Sequence, residues 1–145
     1  MLVPDGAGAS AALAEATAAV RASAAALFAK GMALYQQKKW SEAIAAFQNC
    51  VARDPENSKA WFALGYAYHG QNGKKSCEAE FEPYTRCIAL DPTNAAAHNN
   101  LGNVLKNVRK DYDAAEKHYR KAIELCPTAT RYNNLATLLK DVRKD

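Results

Sequence analysis

Asn99-Asn100-Leu101-Gly102-Asn103-Val104-Leu105-Lys106-Asn107-Val108-Arg109-Lys110-Asp111 comes back as Asn133-Asn134-Leu135-Ala136-Thr137-Leu138-Leu139-Lys140-Asp141-Val142-Arg143-Lys144-Asp145. The two stretches are 34 residues apart, and Gly31 and Gly65 keep the same interval. Pro55, Pro92 and Pro127 follow at steps of 37 and 35. Recurrence at a period of roughly 20–50 residues marks a chain built by stacking one supersecondary unit. A single such unit cannot cover its own apolar face, so neighbouring units shield one another.

Within each unit the residues fall into two halves. Trp61, Leu64, Gly65 and Tyr68 form the pattern W-x-x-L-G-x-x-Y, and Ala43, Phe47 and Pro55 form a second run that closes on proline. Together these halves reproduce the signature of the tetratricopeptide repeat, which the chain resembles over most of its length. The resemblance implies an all-α fold: an α-solenoid of antiparallel helix-turn-helix units wound into a right-handed superhelix. Repeats are expected at 24–57, 58–94 and 95–128, with a half repeat at 129–145. The segment 1–23 is rich in alanine and is expected to be helical from about residue 10.

Elementary energetics support this reading. Gly31, Gly65 and Gly102 fall in the middle of predicted helices, where glycine costs about 1 kcal/mol relative to alanine. The cost is understandable if the missing side chain makes room for the facing helix, with Ala43 and Ala115 serving the same end from the other side. Asp54-Pro55 and Asp91-Pro92 disfavour helical backbone just before each proline, so the second helices stop there. Ser41, and either Asp111 or Asp113, are read as helix-starting caps. The second repeat departs most from the pattern. Three extra residues are placed at Gly70-Gln71-Asn72-Gly73-Lys74, Pro83 is expected to kink or interrupt the second helix, and Glu80 stands where a small residue is usual.

In this family the first helix of each repeat lines the concave surface. The resemblance therefore implies a groove bordered by Phe28, Met32 and Tyr35, then Phe62, Tyr66 and His69, then Asn99, Asn100, Asn103 and Asn107, and finally Asn133, Asn134 and Thr137. Its character changes from aromatic to amide-rich. Asn100 and Asn134 hold equivalent places and resemble the asparagine ladder of O-linked N-acetylglucosamine transferase arrays, in which side-chain amides pair with a peptide backbone. A chaperone-tail clamp would need Lys, Asn and Asn where this chain has Phe28, Met32 and Ala63, so that mode is not expected.

Composition narrows the remaining classes. The net charge of +4 is too mild to point to nucleic acid. The basic pairs Lys38-Lys39, Lys74-Lys75, Arg109-Lys110 and Arg143-Lys144 fall between the helices of each unit, where cations favour helix C-termini. No apolar run is read as reaching the roughly 20 residues of a membrane span, so no membrane partner is expected. Cys50, Cys77, Cys87 and Cys126 show no paired spacing and suit reduced thiols in the cytoplasm. Cys50 and Cys87 are read as buried fillers and Glu78, Glu80 and Glu82 as a solvated stretch. His69, His98 and His118 are read as scattered. No cofactor or metal motif and no catalytic constellation is recognised. The expectation is a non-catalytic scaffold holding a protein or peptide, with self-association through the uncovered last helix as a further expectation. The alternative is the targeting arm of a larger glycosyltransferase-like enzyme.

Overall fold

A computed structural model describes residues 6–142. Seven α-helices follow one another: α1 Gly6–Gln36, α2 Trp40–Arg53, α3 Ser58–Gln71, α4 Phe81–Leu90, α5 Ala95–Val104, α6 Tyr112–Leu125 and α7 Ala129–Val142. A 3-10 turn, Glu78–Glu80, leads into α4, and a widened turn, Leu105–Arg109, prolongs α5. Each helix packs on the next, and no strand occurs among the described residues. This is the all-α solenoid that the repeat implied.

Three aromatic side chains hold the units together. Phe47, Tyr84 and Tyr119 are each at most 1% exposed. A Cβ on Gly31 would come within 2.5 Å of the Phe47 ring, one on Gly65 within 2.6 Å of Tyr84, and one on Gly102 within 2.6 Å of Tyr119. The three mid-helix glycines thus receive a ring from the second helix of their own repeat. Ala43 and Ala115 are fully buried on those second helices, as the size argument required. Gly70 does the same for the Trp40 ring. Two apolar clusters result, one around Phe47 joining α1 to α3, the other around Tyr84 and Tyr119 reaching α7 through Leu135 and Leu138.

Trp61 and Tyr68 pack against the first cluster, and Leu64 is buried within it. The indole N–H of Trp61 donates to the carbonyl of Pro55 at 2.8 Å, closing the turn that proline opens. Asn57 and Asn94 cap α3 and α5 by accepting from the N–H groups of Ala60 and Ala97. Asp111 caps α6 through Ala114. Ser41 is no cap: α2 begins at Trp40, whose ring is needed against Gly70 and edge-on to Tyr35. Pro83 causes no kink, because it sits in the first turn of α4, where its missing N–H would have no helical partner. The longer connection of the second repeat lies at 72–77, a few positions beyond the expected turn.

The N-terminal segment needs a correction. α1 starts at Gly6 and runs without a break into the first repeat. Its residues up to Arg21 are exposed, while Ala24 and Gly31 are buried. An 18-residue window of this helix has a mean hydropathy of 1.3, so α1 is long and apolar enough to cross a bilayer by length and composition, contrary to the sequence expectation. Alanine explains the discrepancy: it is only mildly apolar, and Glu15 and Arg21 interrupt the run without lowering the average far.

Of the basic pairs, Arg143-Lys144 lies outside the described residues. In the others Lys38, Lys74 and Lys110 adopt φ of 59°, 63° and 58°. This left-handed geometry lets the Lys38 and Lys39 N–H groups turn back onto the carbonyls of Tyr35 and Leu34 at 2.9 and 3.0 Å, ending α1. A side chain in that region costs roughly 1–2 kcal/mol. Lys38→Gly is therefore expected to raise the melting temperature by roughly 2–4 °C, measured by circular dichroism. A fall would show that the lysine side chain holds the turn in some other way.

Candidate functional site

The first helices of the successive repeats, α1, α3, α5 and α7, carry the residues expected to face a ligand. Phe28, Met32 and Tyr35 from α1 meet Phe62, Ala63 and Tyr66 from α3 around a cavity of about 330 Å³, with Phe47 at its base and Lys59 and Asn94 at its border. Their spacing explains the meeting: Phe28, Met32 and Tyr35 lie four and three residues apart, as do Phe62, Tyr66 and His69, so each trio shares one helix face. Ring contacts continue the wall. Tyr35 and Tyr66 have centroids 5.8 Å apart, Tyr66 and Phe62 5.6 Å, and Phe62 and Tyr84 5.8 Å. Met32 and Tyr66 are 37% and 42% exposed, so the wall is open to a visitor.

His69 stands at the end of this row, beside Tyr66. Its Nδ1 lies 3.2 Å from Oε1 of Glu80, and Oε2 of Glu80 accepts the backbone N–H of Cys77 at 2.7 Å. Glu80 is 1% exposed, which overturns the reading of Glu78, Glu80 and Glu82 as one solvated stretch. Glu78 and Glu82 are exposed, and Glu78 pairs with Arg109, which stacks on Phe81. Glu80 instead fills the place where other repeats have a small residue. Burial, followed by the charge of Glu80, pushes the Tyr84 phenol well above its usual range.

The amide-rich half is joined differently. Asn100 donates to the Tyr84 hydroxyl at 3.4 Å, and Asn134 donates to Oδ1 of Asn99 at 3.0 Å. Oδ1 of Asn103 accepts from the Tyr119 hydroxyl at 2.6 Å. Lys106 and Asp141 form a salt bridge at 3.3 Å that ties α5 to α7. Asn107, Asn133 and Thr137 are exposed and belong to no such pair among the described residues. Asn100 and Asn134 each use one donor internally, and a side-chain amide has further donor and acceptor capacity. The aromatic residues are thus gathered into one cavity, whereas the amides form a line of inter-helix bonds.

Sequence reasoning missed two constellations. One is Glu80 with His69. The other joins His98 on α5 to His118 on α6, whose Nδ1 atoms lie 3.0 Å apart, so these two histidines are not scattered. Both pairs connect neighbouring helices, and separations of 11 and 20 residues match no local motif. Cys50 and Cys87 are fully buried, as expected of fillers. All four thiols are free, and no cluster of three or more metal-ligating side chains occurs among the described residues.

Known proteins place this architecture. Tetratricopeptide repeat models match residues 5–49 and 28–76, and a second such model matches 84–117. Hsp70-Hsp90 organizing protein 1 of Glycine max is 31% identical over 100 residues, which is 68% of this chain and 16% of that protein. The probable UDP-N-acetylglucosamine–peptide N-acetylglucosaminyltransferase SPINDLY of Solanum lycopersicum is 30% identical over 97 residues, 67% of this chain and 10% of that one. The chain spans between 6% and 18% of the length of the curated relatives it matches. A solved structure titled as the first TPR of Spaghetti (RPAP3) bound to the HSP90 peptide SRMEEVD has a TM-score of 0.74 at 23% identity, covering 83% of this chain and 93% of that one. Glycine-seated rings, proline-closed second helices and matched models over most of its length agree: the chain belongs to the tetratricopeptide repeat family.

Proposed function

We propose that the array captures an extended segment of another protein on its first-helix face, seating one apolar side chain between Phe28, Met32, Tyr35, Phe62 and Tyr66. The observation that carries this reading is the cavity of about 330 Å³ with nearly all-apolar walls, flanked by the exposed Met32 and Tyr66. Aromatic anchors entering such clefts supply most of the affinity in peptide recognition, and polar groups set direction. Asn100 and Asn134 continue from the cavity and suit a peptide backbone, whose alternating N–H and C=O groups need both donors and acceptors. A relative is named for organising Hsp70 and Hsp90, and a solved neighbour holds an HSP90 peptide. Both support a protein ligand. Phe28, Met32 and Ala63 argue for an apolar anchor here instead of a clamped carboxylate. The free thiols suit a reducing compartment, so a cytoplasmic setting is part of the proposal.

The test is isothermal titration with an octapeptide chosen from a peptide array for tightest binding. Tyr66→Ala is expected to weaken it by roughly 30-fold, the scale of one aromatic hot spot. Asn100→Ala with Asn134→Ala is expected to weaken it by roughly 10-fold while the helical circular dichroism is retained. Unchanged affinity in Tyr66→Ala would remove the cavity from the account, and unchanged affinity in the asparagine pair would remove the ladder.

A second reading is favoured by the resemblance to SPINDLY: the array serves as the substrate-holding arm of a glycosyltransferase. It requires a catalytic region in the same polypeptide. A complete coding sequence that encodes none on either side of the array would exclude it.

A further inference from the structure

His98 and His118 meet head-on inside the third repeat. Their Nδ1 atoms are 3.0 Å apart, and the ring centroids, at 5.3 Å, are farther apart by about one imidazole diameter. The two nitrogens therefore point straight at one another, with ring planes only 29° apart. Two facing ring nitrogens at this distance can share one proton. With two protons they collide, and with none their lone pairs repel.

The neighbours decide where that proton sits. Nε2 of His98 lies 2.9 Å from the carbonyl of Pro92, which can only accept, so His98 carries its proton there. Its Nδ1 is then the acceptor, and Nδ1–H of His118 is the donor. Nε2 of His118 is left as a lone pair, on the ring that borders a cavity of about 640 Å³ between α4, α5 and α6. His98 is 6% exposed and His118 half-buried.

We propose that this pair is an acid-sensitive latch between α5 and α6, closed while both imidazoles are neutral and opened when acid supplies a proton to the shared face. A first added proton can go only to Nε2 of His118 if the bond is to survive. A second must take Nδ1 of His98, where it meets the hydrogen of His118 and breaks the latch. Burial opposes the first step and, together with the charge that a protonated His98 would carry and that of Lys117 on α6, holds His118 below the ordinary imidazole range.

Other charges in reach do little to relieve this. Asp111 at the start of α6 shares the cavity, but an oxygen of its carboxylate accepts the N–H of Ala114. Arg109 shares it too and is paired with Glu78. α4 contributes only the uncharged Phe81, Thr85 and Ile88. In the α4–α5 loop, Asp91 is turned onto Thr93.

The sign follows from linkage. In the unfolded chain both histidines take up protons near pH 6.5. The folded pair binds fewer, so stability is fully present above that range and is lost as pH falls through it. His98 directly precedes Asn99 and Asn100, so opening the latch would loosen the amide-rich half of the candidate groove. The latch itself does not depend on any ligand being bound there.

Two measurements test it. Nitrogen-15 correlation spectra of the imidazole rings at pH 7.5 should show His98 in the Nε2–H form and His118 in the Nδ1–H form. Between pH 7.5 and 5.5 the melting temperature should fall by roughly 5 °C more in the parent than in His98→Asn/His118→Asn, where amides replace the titrating nitrogens. The proposal is overturned if both rings show averaged tautomers and titrate independently near pH 6.5, or if parent and variant show the same pH dependence. Should the double variant fail to fold, the tautomer spectrum of the parent decides alone.

Discussion

Tyr119→Ala is expected to cost about 3–5 kcal/mol of stability, the range for deleting a fully buried aromatic side chain. The ring lies over Gly102 and is 1% exposed, and its hydroxyl donates to Asn103 while burial pushes the phenol pKa up to about 12. Gly102→Ala should also destabilise, by about 1–3 kcal/mol, because its Cβ would sit 2.6 Å from the ring edge. That penalty exceeds the roughly 1 kcal/mol that alanine gains over glycine in a helix. Combining the two should cost no more than Tyr119→Ala alone, since the methyl group then enters space the ring has left. Urea unfolding of all three variants completes the cycle, and a coupling of about 1–3 kcal/mol is expected. Simple additivity would mean that the glycine is not there for the ring. α7 offers a natural control: Ala136 takes the corresponding place, is exposed, and meets no second helix among the described residues.

Glu80→Ala is expected to cost about 2–3 kcal/mol, although alanine is the usual type at this place in a repeat. The carboxylate accepts from Cys77 and His69 together, and its removal leaves a partly buried N–H without a partner beside an unfilled space. Glu80→Gln separates the two effects. Its carboxamide oxygen can still accept from Cys77, but its NH₂ then faces His69 and forces the hydrogen of that ring from Nδ1 to Nε2. The expected loss is about 1 kcal/mol, with a change of His69 tautomer in nitrogen-15 spectra. An alanine variant as stable as the parent would show that Glu80 is a tolerated insertion with no supporting role.

The helices were legible because their evidence is local and periodic. Trp61, Leu64, Gly65 and Tyr68 lie at helical spacing, and Pro55, Pro92 and Pro127 each follow a residue outside the helices. The aromatic cavity followed from the same phase: residues three and four apart share a face, and neighbouring first helices bring their faces together. Glu80 was misread because charge alone suggested solvent, whereas the longer 72–77 connection and a histidine eleven residues earlier give it an interior partner. His98 and His118 escaped notice for a related reason. Their contact depends on how α5 lies against α6, and spacing along the chain does not encode that. Asn57 and Asn94, which cap α3 and α5, have the side chains that caps favour, one residue before each helix. The length of α1 was obscured by alanine, which favours helix strongly and registers weakly as apolar.

Amide and methyl NMR spectra of the array, recorded during titration with the tightest-binding octapeptide, bear most directly on the proposed groove. Resonances of Met32, Ala63, Tyr66, Asn100 and Asn134 should move together and saturate at one stoichiometry. Shifts confined to a separate cleft, lined by Gln48, Ala52, Ala79 and Glu82, would contradict capture on the first-helix face.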